Sequence, residues 1–379
     1  MRAIFRVWYN RSSVGLNSFQ TSGNSPGSGA SDRDTRCHVG LLGYGAVGAA
    51  IAKRLTGPDP IPQLTLTHIC DRRAREKRPR VADAISSLNW TDRFDDLLAS
   101  DTDIIVEAVS AGEPAVDFVR GALLGGKSVV TASRLVMAHQ GSMLLTLAER
   151  QGRQLRYEAA VGGAMPIVRA LSDGLAGDRI LSIDAILNGT SNAVLSQMEA
   201  TGCGLDEAIA DACAHGYAES DPSVDLDGLD AAAKLAILCA LAFGLRVRPD
   251  AIETRSTARI TPEHMLRAKQ RGGTIRQVAH ASFARPKATL TAWVAPRVVP
   301  MSSLLARVEG PQNAAIISCE HAGEVTFTGR GAGGDAIAVA MIGDLRAIAR
   351  DRAAIVPAPV LTEAREIHGL SELSFAEAV

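Results

Sequence analysis

The nine residues GLLGYGAVG (40–48) decide the fold. They follow Val39 and run into AAIAKRL (49–55), giving the order strand, G-x-G-x-x-G, helix. Each glycine has its own task. Gly43 permits the tight turn, Gly45 lets backbone approach a pyrophosphate, and Gly48 allows close helix–strand packing. The helix start at Ala46 and Val47 then offers free N–H groups and a positive dipole end to phosphates. Alone, the motif could be a glycine-rich turn in another α/β unit. Here a second strand, LTLTHIC (64–70), follows the helix and ends at Asp71, the context the fingerprint requires.

Outward from this motif the alternation continues. Residues 38–42 read as a strand, 47–55 as a helix and 81–88 as a short helix or turn. Residues 103–109 form a buried strand, 115–124 a helix, 128–131 a strand and 142–151 a helix. Strands alternating with helices imply a parallel sheet. Residues 37–155 are therefore expected to fold as an α/β, doubly wound nucleotide-binding domain. The stretch 156–329 reads differently, as an α+β catalytic and dimerisation domain. It holds YEAAVGGAMP (157–166), a helix over 167–175, a strand over 180–187 and NGTSN (188–192) opening another helix. Further strands lie around 288–294, 314–319 and 324–329. The glycine turn 329–334 leads into a helix over 337–348 that should return to the first domain, so 330–350 complete it and 351–379 form a tail.

Residues 1–36 stand apart. Positions 12–31 are dominated by Ser, Gly and Asn without periodic apolar residues, which predicts disorder. The segment contains arginine and no acid before Asp32, a superficial likeness to an organelle presequence. It has no apolar signal-peptide core, and is read as a flexible tail or the product of a misplaced start codon.

Composition excludes several classes. The 379 residues suffice for two domains with sizeable cores. Forty basic against 41 acidic residues give no reason to expect nucleic acid as partner. No apolar run reaches membrane-spanning length. The six cysteines form no C-x-x-C pair, so reduced thiols in a cytoplasmic protein are expected.

The chemistry is concentrated in HGYAESDPSVDLDGLDAAAKLAIL (215–238). Asp230 and Lys234 are four apart and share a helix face, and Leu235, Ile237, Leu238 and Leu241 anchor that helix in the core. Glu219, Asp221, Asp225 and Asp227 precede it, so several carboxylates are expected to gather round one lysine. The plainer reading is a solvated acidic loop, with Asp favouring the helix N-terminus.

Seven segments in order resemble homoserine dehydrogenase: GLLGYGAVG (40–48), DIIVEAVSAGEPA (103–115), GKSVVTAS (126–133), YEAAVGGAMPIV (157–168), ILNGTSN (186–192), GYAESDPSVDLDGLDAAAKLAIL (216–238) and GRGAGGDA (329–336). The resemblance covers nearly all of 37–345 and implies the short form, without a C-terminal regulatory domain. It implies NAD(P)-dependent interconversion of L-homoserine and L-aspartate 4-semialdehyde, in the biosynthesis of threonine, methionine and isoleucine, by a homodimer. Lys234 would be the proton donor and acceptor, with Asp230 orienting it. Glu219 would hold the substrate ammonium, and Asp225 and Thr190 would lie at the substrate. Reducing an aldehyde creates alkoxide character, which calls for a cation able to deliver a proton, and burial can tune a lysine for that task. As a plain surface ion pair, Asp230 and Lys234 would contribute only a few tenths of a kcal/mol.

The same resemblance places Gly43, Gly45, Ala46, Val47, Gly48, Asp71, Ser110, Arg134, Gly216, Gly331 and Gly333 at the dinucleotide. It also implies a monovalent cation, usually sodium, on the Glu158 side chain and the carbonyls of Val161, Gly163 and Met165. The alternative is a Gly–Pro helix entry in which Glu158 is simply hydrogen-bonded. Asn188, Thr190 and Asn192 are expected to cap the helix that follows. Asp71 suits a ribose 2′-OH, whereas Arg72 and Arg73 suit a 2′-phosphate, and both cofactors stay open.

Three departures from the family pattern stand near the pocket. Arg134 replaces the lysine of A-N-K, keeping charge but effectively never releasing a proton. Ala193 stands where tyrosine is common, and Asp335-Ala-Ile where Pro-Thr-Ala is usual. A paralogue acting on another amino- or hydroxy-aldehyde, or a weakly catalytic nucleotide-binding homologue, are the competing readings.

Overall fold

Six strands alternate with helices in the N-terminal half because the central ones are buried on both faces and must be covered twice. They are β1 (Cys37–Leu42), β2 (Leu64–Cys70), β3 (Asn89–Thr91), β4 (Ile104–Glu107), β5 (Ser128–Thr131) and β6 (Leu155–Arg156). All pairs are parallel, in the order β3-β2-β1-β4-β5-β6. This is the doubly wound sheet expected from the sequence, with its topological switch between β1 and β4. The computed structural model describes residues 36–109, 114–219 and 221–370. The extension expected over 1–36 lies almost wholly outside them, as does Ser110.

Numbering helices of eight residues or more, α1 (Ala46–Leu55), α2 (Pro114–Leu124) and α3 (Arg134–Arg150) belong to this half. The last begins eight residues before the expected start. Gly141 and Ser142 look like a break in the sequence. In the fold Gly141 is buried against Met137, and the Ser133 hydroxyl caps the helix by accepting from the Val136 N–H at 3.4 Å.

The second sheet is mixed, in the order β12-β11-β7-β9-β10-β13, with β8 on β10. Its strands are β7 (Ile180–Ile186), β8 (Glu253–Thr254), β9 (Gly273–Ala284), β10 (Thr289–Pro300), β11 (Gln312–Cys319), β12 (Glu324–Arg330) and β13 (Glu366–His368). Strand β9 was not anticipated. It pairs with β10 along its whole length, Gly273 opposite Pro300 and Ala284 opposite Thr289. The tail expected over 351–379 supplies an edge strand, Glu366–His368, parallel to β10. The helix expected over 167–175 is a single turn, Ile167–Arg169, widened to a π-turn over Ala170–Gly174.

Helices α4 (Gly189–Thr201), α5 (Leu205–Ala214), α6 (Leu229–Phe243) and α7 (Pro262–Gln270) accompany this sheet. Helix α8 (Gly334–Arg350) returns to the first sheet: Ala338, Met341, Leu345 and Ile348 share a core with Leu41, Ile51, Val106 and Val130. On the other face, one apolar cluster runs from Leu42, Ile105 and Val129 through Leu144 to Leu235, Ile183 and Leu290. The two sheets thus share a continuous core, with α3 and α6 between them. Among the described residues, no helix is long and apolar enough to cross a membrane.

Candidate functional site

The glycine loop has the geometry its sequence requires. Gly43 has φ +98°, and a Cβ there would lie 2.6 Å from the Ala108 carbonyl oxygen. A Cβ on Gly48 would lie 2.1 Å from the Gly43 oxygen, so α1 can meet the turn only without one. At Gly45 the added atom would meet nothing within 4 Å: this side is open, as a phosphate would need. Gly45 caps α1 without a side chain, leaving the N–H groups of Ala46, Val47 and Gly48 unserved by any cap. The residues present therefore fit a dinucleotide pyrophosphate.

The turn before α8 abuts this loop. A Cβ on Gly334 would stand 2.9 Å from the Ala46 oxygen, Gly333 has φ +101°, and Gly331 is pressed against Asn313. Gly216 also has a positive φ, +73°, but lies exposed at the end of α5. Asp71 sits at the end of β2 as expected, yet it is buried. It accepts from the Tyr44 and Arg73 backbone N–H groups, both at 2.8 Å, and pairs with Lys77 at 2.6 Å. Burial pushes its carboxyl up, but these donors outweigh burial and hold it below the usual range. Arg72 and Arg73 are exposed beside it.

The second cluster is built on α6 and the end of β7. Lys234 Nζ lies 2.8 Å from Asp230 Oδ2 and donates to the Leu187 carbonyl at 2.8 Å. Its side chain is 12 % exposed, turned into the molecule rather than outward. An ammonium has three N–H donors, so among the described residues one remains for a third acceptor. Asp230 is buried and also forms an ion pair with Arg134 through Nε. Asn188 completes the group, donating from Nδ2 to Asp230 at 2.9 Å and to Asp225 at 2.7 Å. Burial raises Asp230, but Lys234 and Arg134 outweigh it and keep the carboxylate ionised. Asp225 goes the other way: burial and the neighbouring Asp230 raise it above the ordinary range.

The structure thus brings Lys234, Asp230 and Asp225 together, and adds Arg134 and Asn188. The expectation of several carboxylates around the lysine is corrected. Glu219 and Asp221 are exposed, Asp221 accepts the Ser223 N–H at 3.1 Å, and neither they nor Asp227 pair with Lys234 among the described residues. Polar spacing alone could not tell which acids the 215–228 turns carry outward. The capping expectation is also narrowed. Asn188 caps α4, its side chain accepting the Ser191 N–H at 2.8 Å. Thr190 instead donates to the Tyr217 carbonyl at 2.7 Å, tying α4 to the 215–219 loop, and Asn192 donates to the carbonyls of Val308 and Gly310. Arg134, expected at the cofactor, meets Asp230. The sequence signal for that was the start of α3 itself, hidden by the misread helix boundary.

Glu158 does not fit the cation role. Its oxygens accept the Val168 and Arg169 N–H groups at 2.8 and 3.0 Å, and the Arg169 guanidinium lies 3.5 Å away. The hydrogen-bonded alternative is what this side chain adopts. The Met165 carbonyl already accepts the Ile167 N–H at 2.9 Å, while Gly163 makes its turn at φ +59°.

Comparisons with known proteins agree in one direction. The family profile described as homoserine dehydrogenase matches residues 166–345, and the one described as homoserine dehydrogenase, NAD binding domain, matches 43–158. The homoserine dehydrogenase of Mycobacterium leprae is 39% identical over 319 residues, covering 83% of this chain and 72% of that protein. That of Mycobacterium bovis is 42% identical over 266 residues, covering 69% of this chain and 60% of its relative. Among solved structures, a homoserine dehydrogenase from Thiobacillus denitrificans superposes with TM-score 0.79 at 31% identity, covering 88% of this chain and 80% of its own. A hyperthermophilic archaeal homoserine dehydrogenase in complex with NADPH superposes with TM-score 0.70 at 28% identity, covering 86% and 99%.

Proposed function

The chain belongs to the homoserine dehydrogenase family, and from that premise we infer that it interconverts L-homoserine and L-aspartate 4-semialdehyde with NAD(P). One observation supports this most directly: the inward Lys234 ammonium, held by Asp230 and Leu187 with one N–H uncommitted. A bound NAD(P)H supplies the hydride to the aldehyde carbon. As electron density moves to the carbonyl oxygen, the free N–H of Lys234 meets that oxygen and delivers the proton. In the reverse direction the same amine receives it. Asp230 keeps the ammonium aimed, and Arg134 and Asn188 keep Asp230 in place. Arg134 cannot act as a second proton donor, so proton transfer falls to Lys234 alone. Because Lys77 already balances Asp71, the exposed Arg72 and Arg73 are the free charges at the adenosine end, which favours a 2′-phosphate and NADP(H). We further infer pairing with a second copy through the strands between about 288 and 329.

The test is absorbance at 340 nm with aspartate semialdehyde and NADPH, then NADH. Lys234→Ala should lower kcat by roughly a thousandfold while dinucleotide affinity stays within a few-fold. Wild-type chain that binds dinucleotide but reduces no aldehyde would overturn the reading.

A further inference from the structure

One buried acid is left unused by this mechanism. Glu107 is the last residue of β4, flanked in the sheet by Leu42 of β1 and Thr131 of β5. It therefore sits beside the topological switch, where ligands of such sheets bind. It is 1% exposed and makes no ion pair among the described residues. A carboxyl group in that position is costly unless hydrogen-bonded, and both of its oxygens are. Oε1 accepts the Val109 N–H at 3.0 Å, and Oε2 is 2.5 Å from Thr131 Oγ1.

The contacts continue in a line. Thr131 Oγ1 accepts the Ser133 N–H at 3.0 Å, and the Ser133 hydroxyl accepts the Val136 N–H to start α3. The first residue of α3 is Arg134, which forms the ion pair with Asp230. On the other side, Ala108 is the residue against which Gly43 makes its turn. A single carboxyl group thus ties two strand ends, one leading to the glycine loop and one to the catalytic cluster.

We propose that Glu107 is a positioning residue for the reaction: it straps the ends of β4 and β5 together and so sets where Arg134 meets Asp230. The proposal rests on the reading given under Proposed function and goes beyond it, since Glu107 touches neither substrate nor the reacting atoms. Glutamine can copy the strap, its carbonyl accepting from Val109 and its amide donating to Thr131. Alanine cannot.

The experiment is a double-mutant cycle on the full chain between Glu107→Ala and Arg134→Ala. Alone, Glu107→Ala should lower kcat/KM by roughly a hundredfold, the scale of an ångström-sized misplacement. Glu107→Gln should recover most of the loss. In the Arg134→Ala background, Glu107→Ala should cost little more, because its effect passes through that arginine. Thr131→Val, which cuts the same line without emptying the acid's site, serves if Glu107→Ala does not fold. Amide exchange at residues 131–136, faster in Glu107→Ala and Thr131→Val, reads the strap without turnover. An inactive wild type would therefore count against the reaction and not against the strap. Losses that multiply in the double mutant, or a Glu107→Gln variant as poor as alanine, would overturn the proposal.

Discussion

Asp230 lies between Lys234 and Arg134 with Asn188 as a third donor, so its charge is shared by two cations in a buried place. Removing the charge leaves those cations with only Asp225, whose carboxyl burial already raises, to balance them. Asp230→Asn is expected to cost about 3 kcal/mol of stability, as when one partner of a buried pair is lost. Arg134→Met in that background should return part of it, measured by urea unfolding. An Asp230→Asn midpoint equal to wild type would show that the cluster is already well solvated. Glu107 behaves oppositely because it has no cation beside it. Burial pushes its carboxyl from the ordinary 4.5 up to about 7. The folded chain therefore holds a proton that the unfolded chain loses above 4.5. Stability from this group is complete below 4.5 and declines as pH rises, with the loss complete above about 7. The full change is about 3 kcal/mol. Glutamine stays neutral throughout, so Glu107→Gln should gain on wild type between pH 5 and pH 8 by most of that amount. Parallel pH curves for the two proteins would remove this assignment.

At the scale of an element, the glycine loop separates two requirements that one motif combines. Gly48→Ala puts a methyl group into the Gly43 carbonyl, 2.1 Å away, so α1 must leave the sheet. Gly45→Ala enters open space on the side where a pyrophosphate would lie. The first variant should lower Tm sharply, whereas the second should keep Tm and weaken NADPH binding, measured by fluorescence titration. Equal Tm losses would mean that Gly45 serves the fold and not the ligand. This loop was legible in sequence because turn, approach and packing each demand glycine at fixed spacing. The same holds for Asp230 and Lys234, whose shared face follows from helical spacing alone. Strand β9 escaped because GTIRQVAHASFA (273–284) mixes polar and apolar residues while being buried along most of its length, Arg276 included. The start of α3 escaped because a buried Gly141 looks like a helix break. Residues joined across the chain, such as Asn188 with Asp225 and Arg134 with Asp230, leave no local pattern to read.

At the scale of the whole molecule, one face of the second sheet carries an aromatic strip that, among the described residues, is covered only in part, by the helical turn Leu304–Arg307. Along β10, Leu290, Ala292 and Val294 enter the core, so Thr291, Trp293 and Arg297 lie on the opposite face by strand alternation. Trp293 stacks on His280 of β9 at 5.0 Å, and the Arg297 guanidinium lies 5.6 Å from the Trp293 ring. His280 is 2.7 Å from Asp184 of β7, directly across the ladder. This aromatic strip is only half buried, and Ile316 of β11 extends it. A stable pair of protomers covers about 800 Å² on each side, an area a broad sheet face can supply. If two copies meet here, a carboxylate at the centre of the strip would be desolvated, a cost that the neighbouring Arg297 offsets only in part. Trp293→Glu should therefore sediment as a monomer at micromolar concentration where wild type sediments as a dimer, with circular dichroism and dinucleotide affinity preserved. A wild type that is itself monomeric would remove the dimer. A Trp293→Glu protein that stays dimeric would move the contact to another face, since desolvating a carboxylate costs more than one neighbouring arginine returns.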